Sequence, residues 1–249
     1  MSDAPAKSVL LVGGTSDIGR AVASAYAARG WHVTLAARNP EAADREAADL
    51  NARHEGARVE TRTLDILETD AFPGFLDALP TLPDTVVCVV GAMGEQARAE
   101  RDPAHAAEVL RTNFEGPALL LEAVAGRFAA RGRGLIVGIS SVAGDRGRAT
   151  NYVYGAGKAG FTAYLSGLRN RLAKSGVHVA TVKPGFVRTR MTEGMDLPGP
   201  LTAAPATVAE RIVALEDRPR DVVYVLRRWR LVMLIIRAIP EAIFKKLKL

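Results

Sequence analysis

Three side chains in the middle of this 249-residue chain have the types and the spacing that proton transfer requires. Ser141 is followed after thirteen residues by Tyr154, and Lys158 comes four residues later. On a helix, Tyr154 and Lys158 would share one face, one turn apart. An ammonium nearby lowers the pKa of a phenol, and a hydroxyl polarises an oxygen that receives a proton. The pattern predicts reversible protonation of a carbonyl or alkoxide oxygen, with an ordinary amphipathic helix as the alternative.

A glycine-rich turn near the N-terminus lies in the context of a dinucleotide site. Residues 7–12 predict a short buried strand, and residues 20–29 predict a helix that Gly30 ends. The turn between them lets the backbone approach a pyrophosphate, and the helix start offers free N–H groups. A generic strand-to-helix connection is the alternative. The expected cofactor contacts in this turn are Gly13, Gly14, Thr15, Ser16, Asp17, Ile18 and Gly19.

The end of the second predicted strand bears on the choice of cofactor. Residues 32–36 run into Ala37 and Arg38, and no acid stands there. Sites selective for NAD place a carboxylate at this point, on the ribose 2′-hydroxyl, whereas a guanidinium suits a 2′-phosphate. We therefore expect NADP(H) in preference to NAD(H). A solvated arginine is the alternative, and Asp17 counts against a phosphate nearby.

The order of apolar runs predicts the fold class. Six alternations of strand and helix indicate an α/β chain with a single Rossmann-type, doubly wound parallel sheet of about seven strands and helices on both faces. Ligands of such sheets bind beyond the carboxyl ends of the strands. The glycine turn and several candidate residues fall at those ends, namely Arg38, Asp65, Gly91, Ser141 and Pro184. The predicted strands are residues 7–12, 32–36, 58–64, 85–90, 135–139, 177–182 and 222–225.

Composition excludes several classes of function. The single cysteine, Cys88, lies in an apolar run, and the four histidines lack metal-ligand spacing, so neither a disulfide nor a metal site is expected. The N-terminus has no apolar signal core, which predicts a cytosolic protein.

Residues 227–249 hold seven basic residues and one acid and account for the whole net charge of +6. We divide the chain into a domain, 1–226, and a basic tail, 227–249, and expect no nucleic-acid partner.

Taken together, these motifs resemble the short-chain dehydrogenase/reductase family over residues 7–226. Asn113, Ser141, Tyr154 and Lys158 match the catalytic tetrad of that family. Its cofactor glycines are matched by Gly13, Gly14 and Gly19, in a turn one residue shorter than the common form. The family's Asn-Asn-Ala-Gly motif is degraded to residues 88–91. The resemblance implies further cofactor contacts from Asp65, Ile66, Gly91, Tyr154, Lys158, Pro184, Gly185, Val187 and Thr189.

The resemblance implies hydride transfer from a nicotinamide to a carbonyl carbon. Tyr154 would give its proton to the carbonyl oxygen, and Ser141 would hold that oxygen. Lys158 would lower the pKa of Tyr154 and bind the nicotinamide ribose, while Asn113 would hold a water linking Lys158 to solvent. An asparagine bonded to helix backbone is the alternative for Asn113. A homo-oligomer, either a dimer or a tetramer, is expected.

A narrower resemblance concerns the substrate. Residues 140–158, the short glycine turn and the C-terminal ending resemble the branch that contains decaprenylphosphoryl-2-keto-ribose reductases. That branch implies a keto-pentose carried on a polyprenyl phosphate. Arg146 and Arg148 lie beside the predicted reacting centre, and one of them is expected to meet a substrate phosphate. The alternatives are a ketoreductase of a small or fatty acyl carbonyl, and a non-catalytic protein that senses dinucleotides.

Two segments near the C-terminus have their own patterns. Residues 188–206 predict a long loop that covers the substrate as a lid. In the tail, the apolar run 231–236 is too short to span a membrane, and Pro240 divides the segment into two helices. Trp229 beside three arginines, and a face shared by Ile243, Phe244 and Leu247, favour a helix lying on an anionic membrane surface. Packing against a neighbouring subunit is the alternative.

Overall fold

The computed structural model describes residues 6–247. Residues 1–5, part of the stretch inspected for a targeting signal, and the last two residues of the basic tail lie outside the described residues.

A parallel sheet forms the centre of the structure and confirms the predicted fold class. Its seven strands are β1 (Ser8–Val12), β2 (His32–Ala37), β3 (Arg58–Thr63), β4 (Thr85–Cys88), β5 (Gly134–Ile139), β6 (Val177–Lys183) and β9 (Val222–Tyr224). Two short strands, β7 (Phe186–Val187) and β8 (Thr202–Ala203), pair with each other outside it. The order across the large sheet is β3-β2-β1-β4-β5-β6-β9. This order reverses direction after β3 and places the ends of β1 and β4 side by side, where such sheets bind ligands.

Helices cover both faces of the sheet because successive strand residues point to opposite sides. In β1, Val9 and Leu11 join one apolar core, and Leu10 and Val12 join the other. The first core is completed by α1, α2 and α8, and the second by α3, α6 and α7. The helices are α1 (Asp17–Ala27), α2 (Pro40–Arg53), α3 (Phe72–Asp77), α4 (Gln96–Ala99), α5 (Pro103–Leu110), α6 (Gly116–Arg131), α7 (Tyr152–Leu172), α8 (Pro205–Val213), α9 (Arg228–Ala238) and α10 (Glu241–Phe244).

The helical segment between β4 and β5 that contains Asn113 is interrupted. A π-helical turn, Arg111–Glu115, separates α5 from α6. Pro117 lies in the first turn of α6, where its missing N–H cannot bond to the carbonyl of Asn113 four residues earlier. Gly116 fits closely against the main chain of Ile66, since a Cβ there would lie 2.1 Å from the Ile66 oxygen. The turn widens the helix at Asn113, one of the predicted catalytic residues.

The loop over residues 188–206 is fixed at its base. It leaves β7 and returns through β8, and it contains the 3₁₀ turns Arg190–Thr192 and Gly199–Leu201. Its function as a lid stays a prediction.

The tail forms two helices divided at Pro240, as predicted, with Pro240 as the N-cap of a single-turn α10. The expectation for Trp229 is wrong. Its side chain is buried, its indole N–H donates to the carbonyl of Leu201 (2.9 Å), and its ring meets Phe186 edge-on. Phe244 is also buried, so it does not share an exposed face with Ile243. Within the described residues, no helix combines the length and the apolar composition that a membrane crossing requires.

Arg146 connects the tail to the segment between Ser141 and Tyr154. Its guanidinium donates to three carbonyls at the end of α9, the shortest contact being 2.8 Å to Ile239. It also pairs with Glu241 and lies 4.0 Å from the centre of the Phe244 ring. Helix-terminal carbonyls have no partner inside the helix, and a cation near them is favourable. The tail is therefore held against the domain by a side chain from the loop that follows β5.

The contact between Gly185 and Trp229 provides a test of this packing. A Cβ on residue 185 would lie 1.9 Å from the Trp229 indole nitrogen, so Gly185→Ala must displace the ring. We expect Gly185→Ala to lower the free energy of unfolding by about 1–3 kcal/mol, measured by thermal denaturation. The control is Gly167→Ala in α7, where a Cβ meets nothing within 4 Å and the change is expected to be neutral or stabilising. Equal melting temperatures for Gly185→Ala and wild type would contradict the packing of Trp229.

Candidate active site

Two adjoining cavities open at the carboxyl ends of the central strands. We call them the glycine-turn cavity, of about 510 Å³, and the catalytic cavity, of about 370 Å³. Both are lined by Val89, Val90 and Gly91, just after β4. Of the predicted cofactor residues, Gly13, Thr15, Ser16, Arg38, Asp65, Ile66 and Gly91 line the first, and Ile18, Gly91, Tyr154, Lys158, Pro184, Gly185, Val187 and Thr189 line the second.

The glycine turn is closed by contacts that leave no room for side chains. Gly13 has a φ of +87°, a conformation that L residues rarely adopt. A Cβ on Gly19 would lie 2.4 Å from the carbonyl oxygen of Gly13. Ser16 caps α1, since its hydroxyl accepts from the Gly19 N–H at 3.1 Å and donates to the Gly13 carbonyl. Gly14 packs against Leu35 outside the cavity wall. The first turn of α1 thus faces the cavity with its N-terminal, positive end.

Asp17 has a partner that the sequence did not indicate. Its carboxylate accepts from the backbone N–H of Arg190 (2.7 Å) and from the Arg190 Nε (3.1 Å). Arg190 also donates to the carbonyl of Thr15 and lines the glycine-turn cavity together with Arg38. The negative charge of Asp17 is therefore balanced, and a second guanidinium stands at this cavity. No sequence pattern separated Arg190 from the other arginines of the loop.

The side chain of Asn113 holds the segment after β4 in place through hydrogen bonds. Its side chain is fully buried in the π-helical turn, and its amide bonds to both main-chain groups of Ala92 and to the carbonyl of Val109. The backbone-bonded arrangement considered for this residue is therefore present. Gly91 lies between Asn113 and Lys158, because a Cβ there would be 3.0 Å from both the Asn113 oxygen and the Lys158 Nζ. Asn113 lies behind the wall of the catalytic cavity and does not line it.

Lys158 is a buried cation held by main-chain carbonyls. It is 3% exposed, and its Nζ donates to the carbonyls of Val90 (3.2 Å) and Ile139 (3.1 Å). Within residues 6–247 it forms no ion pair with a carboxylate. Burial lowers the pKa of Lys158 to about 8. The Nζ lies 5.9 Å from the centre of the Tyr154 ring.

The pKa of Tyr154 moves in the direction opposite to the one predicted. Burial raises it, while the Ser141 hydroxyl and the charge of Arg148 act to lower it. The phenol is recessed in the cavity, and removing it from water disfavours the phenolate more than its neighbours favour it. Arg148, and not Lys158, is the charged group that opposes the shift. Tyr154 is consequently a protonated phenol near neutral pH, the form that donates a proton.

Ser141 is positioned by the end of β5. The preceding residue, Ser140, is anchored to α7. Its hydroxyl bonds to the Lys158 carbonyl (2.9 Å) and to the hydroxyl of Thr162 (2.6 Å). The Ser141 Oγ accepts from the N–H of Ala143 at 3.1 Å, which leaves its O–H hydrogen available to an oxygen in the cavity. Strand β5 and helix α7 thereby place Ser141, Tyr154 and Lys158 at one cavity.

Of the two loop arginines expected at the substrate, only Arg148 lines the catalytic cavity. Arg146 is bound to the end of α9, as described above, where its guanidinium donates to three carbonyls. A buried hydrogen-bond network, which the sequence did not indicate, also holds the same loop. Asp145 bonds to Lys183 (2.5 Å) and to the phenol of Tyr224 (2.8 Å). These contacts hold the loop against β6 and β9.

Beside Arg148, the catalytic cavity has a polar side that also includes Thr150 and Asn151. The Asn151 Oδ1 is buried and has no hydrogen-bond partner among the described residues. The rest of the wall is largely apolar. It includes Met93, Val142, Phe186, Met191, Met195 and Trp229.

Comparisons with known proteins agree with this geometry. The family model described as short chain dehydrogenase matches residues 7–197. An uncharacterized oxidoreductase of Mycobacterium tuberculosis is 37% identical over 250 residues, which cover 99% of each chain. Among solved structures, a short-chain dehydrogenase from Sphingobium yanoikuyae in complex with NADPH has a TM-score of 0.80 at 26% identity, covering 95% of this chain and 97% of that one.

A second solved structure carries the other dinucleotide. The 3-oxoacyl-[acyl-carrier protein] reductase of Brucella melitensis with bound NAD has a TM-score of 0.78 at 25% identity, covering 88% of this chain and 89% of that one. The family match covers well over half of the chain, and the relative matches along its whole length. This chain belongs to the short chain dehydrogenase family of NAD(P)-dependent oxidoreductases.

Proposed function

We propose that this protein reduces a ketone to a secondary alcohol with NADPH. The observation that carries the proposal is the meeting of Ser141, Tyr154 and Lys158 at a cavity that adjoins the glycine-turn cavity through Gly91. The cofactor, when bound, supplies a hydride to the carbonyl carbon. Tyr154 donates its proton to the carbonyl oxygen, and Ser141 donates a hydrogen bond to the same oxygen.

Lys158 and Asn113 support this proton transfer. An ammonium has three hydrogens, and two of those on Lys158 are used by the carbonyls of Val90 and Ile139. The third is free to bind a ribose hydroxyl beside Tyr154. Asn113 holds Ala92 and so fixes the adjacent Gly91, whose missing side chain leaves room for the Lys158 ammonium.

The residues of the glycine-turn cavity fit a dinucleotide. Gly13 and Gly19 let the turn close tightly, because a Cβ on either would press against neighbouring protein atoms. The start of α1 provides free N–H groups for a pyrophosphate. Arg38 at the end of β2 favours a 2′-phosphate. Asp65 and Ile66 lie where the adenine would bind. We therefore favour NADP(H) over NAD(H).

The walls of the catalytic cavity favour a substrate with two unlike parts. Arg148, Thr150 and Asn151 suit phosphate and hydroxyl groups, while Phe186 and Trp229 suit an apolar chain. A polyprenyl-phosphate-linked keto-pentose has both parts. If Arg148→Ala left KM for a phosphorylated ketone unchanged, the proposed contact between Arg148 and the substrate phosphate would be refuted.

An acyl carbonyl is the second candidate substrate. It is supported by the similarity to the Brucella melitensis enzyme, which is described as a 3-oxoacyl-[acyl-carrier protein] reductase. The ratio of kcat/KM for a polyprenyl-linked keto-pentose and for a small acyl ketone decides between the two candidates.

We also propose that residues 227–249 contact the surface of a membrane. The exposed side of α9 carries Leu231, Leu234 and Ile235, whose side chains are 58–67% exposed. Arginines flank these apolar residues. This combination favours an anionic bilayer surface over water.

Replacement of the proposed acid tests the reaction. We expect Tyr154→Phe to reduce reductase turnover by about 10²–10⁴-fold, while the dissociation constant of NADPH, measured by fluorescence, is retained. Tyr152→Phe is the matched control, because Tyr152 lies on the same helix, is exposed, and does not line the catalytic cavity. Residual activity of Tyr154→Phe above about 10% would show that Tyr154 is not the acid.

The pH dependence of turnover tests Lys158. Its pKa is lowered to about 8, so the ammonium is present below that pH and is lost above it. Burial raises the pKa of Tyr154 above its ordinary value of about 10, so its phenol stays protonated around pH 8. We therefore expect kcat/KM for reduction to fall about tenfold per pH unit above pH 8. Tyr152→Phe should leave the profile unchanged, since that exposed residue does not line the catalytic cavity. A flat profile from pH 7 to about 10 would show that turnover does not require the Lys158 ammonium.

Cofactor preference is tested at Arg38. We expect Arg38→Ala to raise KM for NADPH by about tenfold, because a charge-assisted hydrogen bond contributes roughly 1.5–3 kcal/mol. KM for NADH should stay within about twofold, since the 2′-hydroxyl carries no charge for Arg38 to bind. Arg45→Ala, also exposed but outside both cavities, is the control. An equal change in the two KM values would show that Arg38 does not recognise the 2′-phosphate.

A further inference from the structure

A third cavity lies along α9, apart from the catalytic cavity. It has a volume of about 640 Å³ and is formed by α8, β9 and α9 at the edge of the sheet. Five arginines line it, and we call it the arginine groove. They are Arg211, Arg220, Arg227, Arg230 and Arg237.

The charge of the arginine groove is not balanced by the protein. No carboxylate of the described residues lines it, and within residues 6–247 none of its five guanidiniums forms an ion pair. Some arginines elsewhere on the surface pair with acids, as Arg29 does with Asp217. Like charges held together in a cleft create a strong positive potential that attracts anions. Guanidinium groups match the geometry of phosphate oxygens.

The groove also contains exposed aliphatic side chains. Leu231 and Leu234 of α9 are 61% and 67% exposed, and Val222 of β9 is 46% exposed. A free phosphate ion would neutralise the arginines and leave these side chains in water. A ligand that combines a phosphate with a hydrocarbon chain would satisfy both parts of the groove.

Other occupants fit less well. In a two-fold contact with a second copy, the same arginines would face one another, which is electrostatically unfavourable. Nucleic acid would satisfy the charge, but it has no hydrocarbon chain to cover the leucines. Charge and apolar surface together are complementary to an anionic phospholipid.

We propose that the arginine groove binds the phosphate headgroup of one anionic phospholipid, with the acyl chains along Leu231 and Leu234. This inference rests on the proposed membrane contact of residues 227–249 and is independent of the catalytic assignment. It replaces a diffuse attraction to the bilayer with a defined site. Helix α9 separates this site from the catalytic cavity, because Trp229 lines the catalytic cavity while the leucines line the groove.

The test uses the full chain and a monomeric lipid. Dihexanoyl phosphatidylglycerol, kept below its critical micelle concentration, is titrated by calorimetry into wild type, Arg230→Gln and Arg228→Gln. Arg228 is the matched control, since it is an exposed arginine of α9 that does not line the groove. We expect saturable binding to wild type, a loss of about tenfold in affinity for Arg230→Gln, and a change within about twofold for Arg228→Gln. Dihexanoyl phosphatidylcholine and inorganic phosphate should each bind at least about tenfold more weakly than the anionic lipid.

Several results would overturn the proposal. Equal losses in the two variants would assign binding to diffuse surface charge. Phosphatidylcholine binding as tightly would leave an apolar site only, and inorganic phosphate binding as tightly would leave a phosphate site without lipid. A dimer in wild type that dissociates in Arg230→Gln would assign the groove to a second copy.

Two further measurements separate this proposal from the others. Co-sedimentation of wild type with phosphatidylglycerol vesicles, without binding of the monomeric lipid, would retain the membrane contact and refute the groove. Ketone reduction by Arg230→Gln and Arg228→Gln should equal that of wild type, because neither residue lines the catalytic cavity. If wild type itself reduced no ketone while the lipid still bound, the catalytic proposal would fail and the groove would stand.

Discussion

The buried ammonium of Lys158 is the interaction on which the site depends. A charge removed from water is costly, and here it is compensated by the carbonyls of Val90 and Ile139 rather than by a carboxylate. Those oxygens meet only because β4 and β5 are neighbours that end at the same level. Gly91 must lack a side chain, since a Cβ would lie 3.0 Å from the Nζ. The sheet, α7 and the turn after β4 are thus arranged around one cation.

Helix α9 connects the catalytic cavity with the protein surface. Trp229 forms part of the cavity wall, and its position against Gly185 leaves no space for any other residue there. Arg146 holds the end of α9, and Asp145 ties the same loop to Lys183. The loop that carries Arg148 and leads into α7 is therefore held by both the tail and β6. A basic segment that composition alone assigns to a tail is part of the packing of the active site.

The structure differs from the sequence-based predictions where contacts between distant parts of the chain determine the local geometry. Strands and helices were predictable because their periodicity is local, and the ends of the parallel strands followed from the fold class. The π-helical turn at Asn113 depends on Pro117 and on the close approach of Gly116 to Ile66, which a helical pattern does not reveal. Arg190 acquires its position by pairing with Asp17, 173 residues away in the chain. Burial of Tyr154 reverses the direction of a pKa shift that its sequence neighbour Lys158 suggested.

The sequence by itself determined the α/β sheet, the family resemblance and part of the lining of the two cavities, because the hydrophobic pattern and the motif spacing specify them directly. Only the tertiary structure decided the surroundings of those residues. Arg146 and Arg148 are two positions apart and chemically identical, yet one binds the end of α9 and the other lines the catalytic cavity. Trp229 has the neighbours of an interfacial residue and is buried. Charge and desolvation depend on distances between segments remote in the chain, and the order of residues does not contain those distances.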